Sequence, residues 1–478
     1  MNTIIVSFLV CLLLLTGTGA MAWVKKKKTN EDYLIASRGV APWLSALSTV
    51  ATNNSGFMFI GMIGYTYRSG LESLWMMAGW VLGDLVTWSQ IHPRVRRASG
   101  LVKVNTLTSL LGTWKGETIR PIIMAASIVT FVFLGIYAAA QLKAGSTALH
   151  ALFGWELWTG VVIGAAIVVL YSFAGGIRAD IWTDAAQSFA MIGAMVMIII
   201  AGAMDLGGPR VLYESLQQQD ASLVSLYPEN LRFGLLAFVA GYFFAGIGTI
   251  GQPHLMTRLL SIESVESVRE ARTWYFVYYV PFFLASILVG LYCRGILPDL
   301  DQMEIARQVN NPTELALPLL TLELLPDIFV GIALAGLFAA TVSTADSQVI
   351  ICSGSITQEL IPELKDSYVA SKAATFSITL VATLIAIYAP EDVFGLVLIA
   401  WSALGACLGP ILVVRLFQLP LNAAAGLLMM AVAFAIVVYW HFSGWDDDVL
   451  KIFPAMVAAF SVYGLFYLWF RQRRQPAA

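Results

Sequence analysis

The 478-residue chain is 58% hydrophobic and only 12% charged, with a formal net charge of −2. Soluble domains carry roughly 25% charged residues, so the composition excludes one, and the lack of any basic block excludes a nucleic-acid-binding arm. Four scattered cysteines and four histidines, none at ligand spacing, exclude a disulfide framework and a metal centre.

Apolar runs of the ~20 residues needed to cross a bilayer recur from end to end. They predict an all-α membrane protein with about 13 transmembrane helices, at 2–23, 40–64, 71–92, 121–146, 155–175, 179–204, 233–257, 273–293, 326–357, 371–389, 392–418, 421–442 and 449–470. The first, MNTIIVSFLVCLLLLTGTGAMAW, has the apolar core and A-x-A-like end of a signal peptide. A signal peptide carries its positive charge before that core, whereas Lys25 to Lys28 follow it here. The segment is read as a retained helix with its N-terminus outside. That orientation assigns 21 of the 28 lysines and arginines, Arg258 among them, to cytoplasmic loops and 7 to the other side, the bias of the positive-inside rule.

The second span reads STVATNNSGFMFIGMIG, with Thr52, Asn53, Asn54, Ser55 and Gly56 together at its middle. The third carries Asp84, expected to pair with a loop arginine rather than to face the cytoplasmic vestibule. The seventh reads GYFFAGIGTIGQPHLMTR, with Gly246, Gly248, Gly251 and Pro253. Glycines alone would suggest close helix packing. Asn-Asn and Gln-Pro-His in matched positions point instead to non-helical backbone, which persists at membrane depth only where protein or a wet cavity satisfies it. Two such breaks five spans apart predict two halves of opposite orientation, an inverted-repeat secondary transporter with its site at the breaks.

The ninth span contains LFAATVSTADSQVIICSG. At 100° per residue, Ala340, Ser343, Thr344 and Ser347 share one face, with Asp346 at its edge. Hydroxyls facing a break that frees carbonyls can replace the water around a hard cation, and neutral oxygens suffice for sodium. A carboxylate at this depth costs about 2.5–3.5 kcal/mol and points to an ion path. The solute ligands expected between the breaks are Asn53, Ser55, Gly56, Phe57, Gly248, Thr249, Gln252 and Trp401, with Gln141 of the fourth span in support. Amides and hydroxyls supply hydrogen bonds, glycines expose backbone and aromatics cap the cavity.

The stretches ATNNSGFMFIG, GGIRADIWTDAAQ, GIGTIGQPHLMTRLLS and ATVSTADSQVIICSGSITQEL, followed by AWSALGACLGPILV, resemble the sodium/solute symporter family in order and spacing. The proline symporters show the closest pattern, and the resemblance covers nearly the whole chain. It implies a LeuT-like 5+5 inverted-repeat core, with repeats at 40–205 and 233–418 joined by an outer loop at 206–232. A peripheral N-terminal helix and basic loop would occupy 1–39, and two peripheral C-terminal helices with a basic tail 419–478. It also implies a sodium site of the backbone carbonyls of Ala51, Asn54 and Ala340 with the hydroxyls of Ser343 and Thr344. A second ion, present in some members, would take Asp184, Ser343, Asp346 and Ser347.

Asn53 stands where the proline symporters have an aspartate, and Asp346 where relatives usually show a hydroxyl. Ala245 and Thr249 replace the aromatics that flank the proline pocket. The implied function is import of a small polar organic solute, amino acid-like or carboxylate, by alternating access with Na+ as the coupling ion. The setting would be a bacterial plasma (inner) membrane, with the C-terminus cytoplasmic. The alternative is a membrane sensor of the same fold that passes a solute signal to a partner protein. Such sensors carry long soluble domains after the last helix, and the closing RQRRQPAA holds none. No G-x-S-x-G or H-E-x-x-H motif suggests an enzyme.

Overall fold

Backbone groups in lipid must find partners within their own segment, and the apolar runs accordingly form helices. The computed structural model describes residues 2–23, 32, 35–114, 116–174, 177–229, 231–364 and 367–474. The basic run Lys25 to Lys28 lies outside the described residues. The principal helices are α1 (Asn2–Trp23), α2 (Pro42–Gly56), α3 (Ile63–Ser69), α4 (Ser73–Val86), α5 (His92–Val102), α6 (Arg120–Phe153), α7 (Leu157–Ala174) and α8 (Ile177–Leu206). They continue as α9 (Gly234–Ile247), α10 (Pro253–Leu260), α11 (Val265–Ile296), α12 (Asp327–Gly354), α13 (Tyr368–Tyr388), α14 (Val393–Leu416), α15 (Ala423–Ser443) and α16 (Ile452–Arg474).

Among the described residues, nine helices are long and apolar enough to cross a membrane. The other four expected spans coincide with the shorter apolar helices α1 and α7 and with two interrupted ones, α2–α3 and α4–α5. Both interruptions are wide π-helical turns, at Phe57–Met62 and Thr87–Ile91. Helix α12 packs against α1, α6 and α8 and is buried along most of its length, as is α14. Helices α4 and α9 meet through glycine. A Cβ on Gly83 would lie 2.1 Å from the Phe243 carbonyl oxygen, and one on Gly246 2.2 Å from that of Trp80.

The two ends of the bundle differ. At the end expected to be outer, a cavity of about 650 Å³ is lined by Glu72, Glu229, Glu391, Asp392, Asp446, Asp447 and Asp448 against Arg68, Lys451 and His441. Its floor is Phe394, stacked on Tyr65 and on Phe57 with ring centroids 5.4 Å apart in each pair. At the opposite end the pocket beside Pro253, Thr257 and Ser355 holds only about 20 Å³. There Glu359 accepts the hydroxyls of Thr106, Ser109 and Ser127 and ties three segments together. Among the described residues the wide cavity marks an open end, and the small pocket and the Glu359 tie mark the closed one.

Glu314, buried in the 3-10 turn Pro312–Leu315 at the open end, accepts from the Val393 amide at 2.6 Å and so caps α14 beside Asp392. Burial raises its carboxyl to about 8, and Asp392 adds to the rise, against the amides of Val393 and Phe394 and the charge of Lys143. The ordinary value is 4.5. A raised folded-state pKa gives stability that is full below the unfolded pKa and is lost as pH rises through the folded one. The melting temperature should therefore fall between pH ~4.5 and ~8. Glu314→Gln, which keeps an acceptor for the cap, should flatten that slope; equal slopes in both proteins would contradict this account.

Candidate solute and sodium site

The first break falls where the sequence places it. Ser55 adopts φ 43° and ψ −157°, which ends the helical ladder of α2. The freed amide of Gly56 donates to Gln141 Oε1 at 2.9 Å. Gly56 has to be glycine: a Cβ would lie 2.6 Å from Ala144 Cβ and 2.9 Å from Thr341 Cγ2. The break is thereby pressed onto α6 and α12 together. In the second span pair, α9 ends in a 3-10 turn at Gly248–Gly251, Gln252 is extended, and Pro253 opens α10. Gln252 Nε2 donates to the Trp401 carbonyl and Trp401 Nε1 to the Ala245 carbonyl, both at 2.9 Å. This break is pinned to α14, as the 2.6 Å between a Cβ on Gly251 and the Leu404 carbonyl also requires.

The expected sodium ligands lie on facing elements. Ala51 and Asn54 are in the last turns of α2, and Ala340, Ser343 and Thr344 are on the stretch of α12 that packs against it. All five are buried. Ser343 Oγ donates to Asp184 Oδ1 at 2.6 Å.

Asp184 anchors a buried cluster at the closed end of this face. Its Oδ2 accepts from Ser48 at 2.7 Å, Thr52 at 3.2 Å and Arg258 Nη2 at 2.7 Å. Arg258 also donates to Ser347 Oγ at 2.8 Å, and Ser347 donates to Asp180 Oδ2 at 2.8 Å. Asp346 accepts the Ser172 hydroxyl and its carboxyl lies against that of Asp180. The residues suggested for a second ion are thus gathered, but the Arg258 guanidinium stands between Asp184 and Ser347.

The solute candidates divide into two groups. Phe57, Gly56, Ser55, Gly248, Gln252 and Trp401 lie at the breaks or against them, with Trp80 at 5.6 Å from Phe57 and 5.2 Å from Trp401 between ring centroids. Among the described residues, Trp80 Nε1, Gln141 Nε2, Gln252 Oε1, both amide atoms of Asn54, both ring nitrogens of His254 and Ser402 Oγ are buried without a hydrogen-bond partner. Burying such groups unpaired costs about 1–3 kcal/mol each. Asn53 and Thr249 are drawn away: Asn53 Nδ2 donates to the Tyr275 hydroxyl at 2.8 Å, and Thr249 Oγ1 to Asp84 Oδ1 at 2.6 Å.

The expectation for Asp84 requires correction. No loop arginine reaches it among the described residues; Thr249 and Tyr275 hydrogen-bond to it instead, because α4 is buried against α9 and α11 at that level. Arg258 likewise belongs inside the protein, fully buried, rather than in a cytoplasmic loop. Sequence reasoning also missed Asp180, Trp80 and His254. Asp180 stands four residues before Asp184, and His254 four before Arg258, so helical spacing could have found two of them.

A profile of the sodium:solute symporter family matches residues 33–433. The chain belongs to the sodium:solute symporter family. It is 28% identical over 463 residues to the sodium/proline symporter of Escherichia coli K12, covering 95% of this chain and 90% of that one. It is 25% identical over 446 residues to the high-affinity proline transporter of Bacillus subtilis 168, covering 91% and 92%. Among solved structures, a substrate-bound, outward-open sodium-coupled sialic acid symporter superposes with a TM-score of 0.78 at 19% identity, over 97% of this chain and 98% of that one. A nucleobase-cation-symport-1 transporter in a closed conformation gives 0.59 at 13% identity, over 92% and 95%. The fold is the LeuT-like one. The family member is a sodium-coupled symporter of a small organic solute, not an enzyme.

Proposed function

We propose that this symporter imports a neutral or zwitterionic, amino-acid-like solute, with one sodium held by the carbonyls of Ala51, Asn54 and Ala340 and the hydroxyls of Ser343 and Thr344. The observation that carries the solute class is the set of unpartnered groups between the breaks. They are amide, indole, imidazole and hydroxyl, with no lysine or arginine among them. A dicarboxylate would call for a guanidinium or ammonium partner, and the acidic vestibule repels anions. Proline is the solute named for the relatives, while Ala245 and Thr249 change the wall against which it would pack. The charge bias supports a bacterial plasma-membrane protein with its N-terminus outside and the 650 Å³ vestibule facing out.

A thermal-shift screen of the purified protein against amino acids, carboxylates and sugars, in sodium and in potassium, tests the solute class. A bound solute at a hundredfold excess over its Kd adds about 2.7 kcal/mol. Stabilisation by an amino acid in sodium alone is the expected result; stabilisation by carboxylates and by no amino acid would overturn the reading.

The carboxyls of Asp180, Asp184 and Asp346 around the single cation Arg258 support a second sodium, the competing readings being a proton on Asp346 that only hydrogen-bonds, or proton coupling. One sodium entering down ~100 mV and a tenfold gradient yields roughly 3.7 kcal/mol, and two yield twice that. Charge-to-solute flux in proteoliposomes should be two for the wild type and one for Asp346→Asn. A ratio of one in both would exclude the second ion.

A further inference from the structure

We propose that Asp84 is a proton-binding site, built into the four helices around the two breaks. Asp84 is fully buried on α4. Its Oδ1 accepts from Thr249 Oγ1 at 2.6 Å and its Oδ2 from the Tyr275 hydroxyl at 2.8 Å. Tyr275 in turn accepts from Asn53 Nδ2 at 2.8 Å. One carboxyl therefore joins α4, α11, the turn after α9 and the end of α2. Those are the first two helices of each expected repeat.

No cation balances it. Among the described residues no lysine, arginine or histidine nitrogen forms an ion pair with Asp84, unlike Asp184 with Arg258. The groups facing it are the hydroxyls of Tyr275 and Tyr279 on α11, Thr249 on the turn and, through Tyr275, Asn53 on α2. An unpaired carboxylate in an apolar wall takes a proton instead.

The hydrogen bonds accommodate that proton without reorganisation. Thr249 Oγ1 lies 2.6 Å from Asp84 Oδ1 and also 2.6 Å from the Gly246 carbonyl. When Asp84 is charged, the threonine hydrogen points to the carboxylate. When Asp84 is neutral, its O–H donates to Thr249, whose hydrogen turns to Gly246. Every donor finds an acceptor in both states.

A line of buried side chains continues from this site. Asp84, Trp88 and His92 recur at four-residue intervals through the π-helical turn, a device common at functional sites. Trp88 packs on Tyr275 with centroids 4.8 Å apart, and His92 stands edge-on to Trp88 at 4.6 Å. Both His92 ring nitrogens are buried and have no partner among the described residues. His92 lies on the side of Asp84 towards the closed end.

Infrared difference spectroscopy of the full chain in lipid, titrated with pH, reads the site through the C=O stretch of a protonated carboxyl. The wild type should show a component that grows as pH falls and is missing in Asp84→Asn, over a background from Glu314. Tyr275→Phe removes a donor to the charged form and should raise the midpoint of that component by about one pH unit; Thr249→Val, which loses that donor and also the acceptor of the neutral form, should raise it less. An Asp84→Asn band identical to the wild type at every pH would overturn the proposal. So would midpoints unmoved in Tyr275→Phe and Thr249→Val, which decide the matter if Asp84→Asn does not fold. Loss of the component on adding sodium at constant pH would show a sodium site instead.

Discussion

Arg258→Ala should destabilise the protein by about 3–5 kcal/mol, the cost of leaving a buried charge without its partner. The Arg258 guanidinium is 0% exposed and 2.7 Å from Asp184, which is itself only 2% exposed. It also bonds Ser48 at 2.8 Å, Ser347 at 2.8 Å and the His254 carbonyl at 2.9 Å. No second cation bonds Asp184 among the described residues. Arg258→Lys, a single point donor, cannot reproduce four partners and should recover only part of the loss. Adding Asp184→Asn to Arg258→Ala removes the orphaned charge and should restore much of the stability while transport stays lost. Melting temperatures across this cycle check the argument. Wild-type stability in Arg258→Ala, or a double variant less stable than either single one, would show that the pair does not hold the fold.

Thr344→Ala should raise the sodium half-saturation at least tenfold. A hydrogen-bond-strength contact to a charged group is worth about 1.5–3 kcal/mol, and 1.4 kcal/mol is a factor of ten. Ser343→Ala should do at least as much, but it also removes a donor from Asp184, so its effect mixes ion binding with the Arg258 cluster. Thr344 is the cleaner probe. Ser355→Ala, beyond the end of α12, is the control and should leave the sodium response unchanged. An unaltered sodium half-saturation in Thr344→Ala would remove that hydroxyl from the site.

The two breaks were legible because polar and glycine clusters have no business in a continuous lipid helix. That Ser343 and Thr344 share one buried helix face was legible because 100° per residue is a strict ruler. What lay beyond the sequence was pairing at long range. Tyr275 lies 191 residues from Asp84, and Thr249 165 residues from it, and no local pattern links them. Arg258 was misplaced because a charge near the end of a span is indistinguishable from a loop charge until α10 is seen to be buried. The π-helical turns carry no residue signature.

The central claim is that sodium drives solute across this bundle. Proteoliposomes containing the protein and an amino acid identified in the thermal-shift screen test it most directly, with an inward sodium gradient against an equal potassium gradient. The account predicts accumulation above the external concentration with sodium, abolished by collapsing the sodium gradient, and none with potassium. Equal accumulation in the two salts would contradict it.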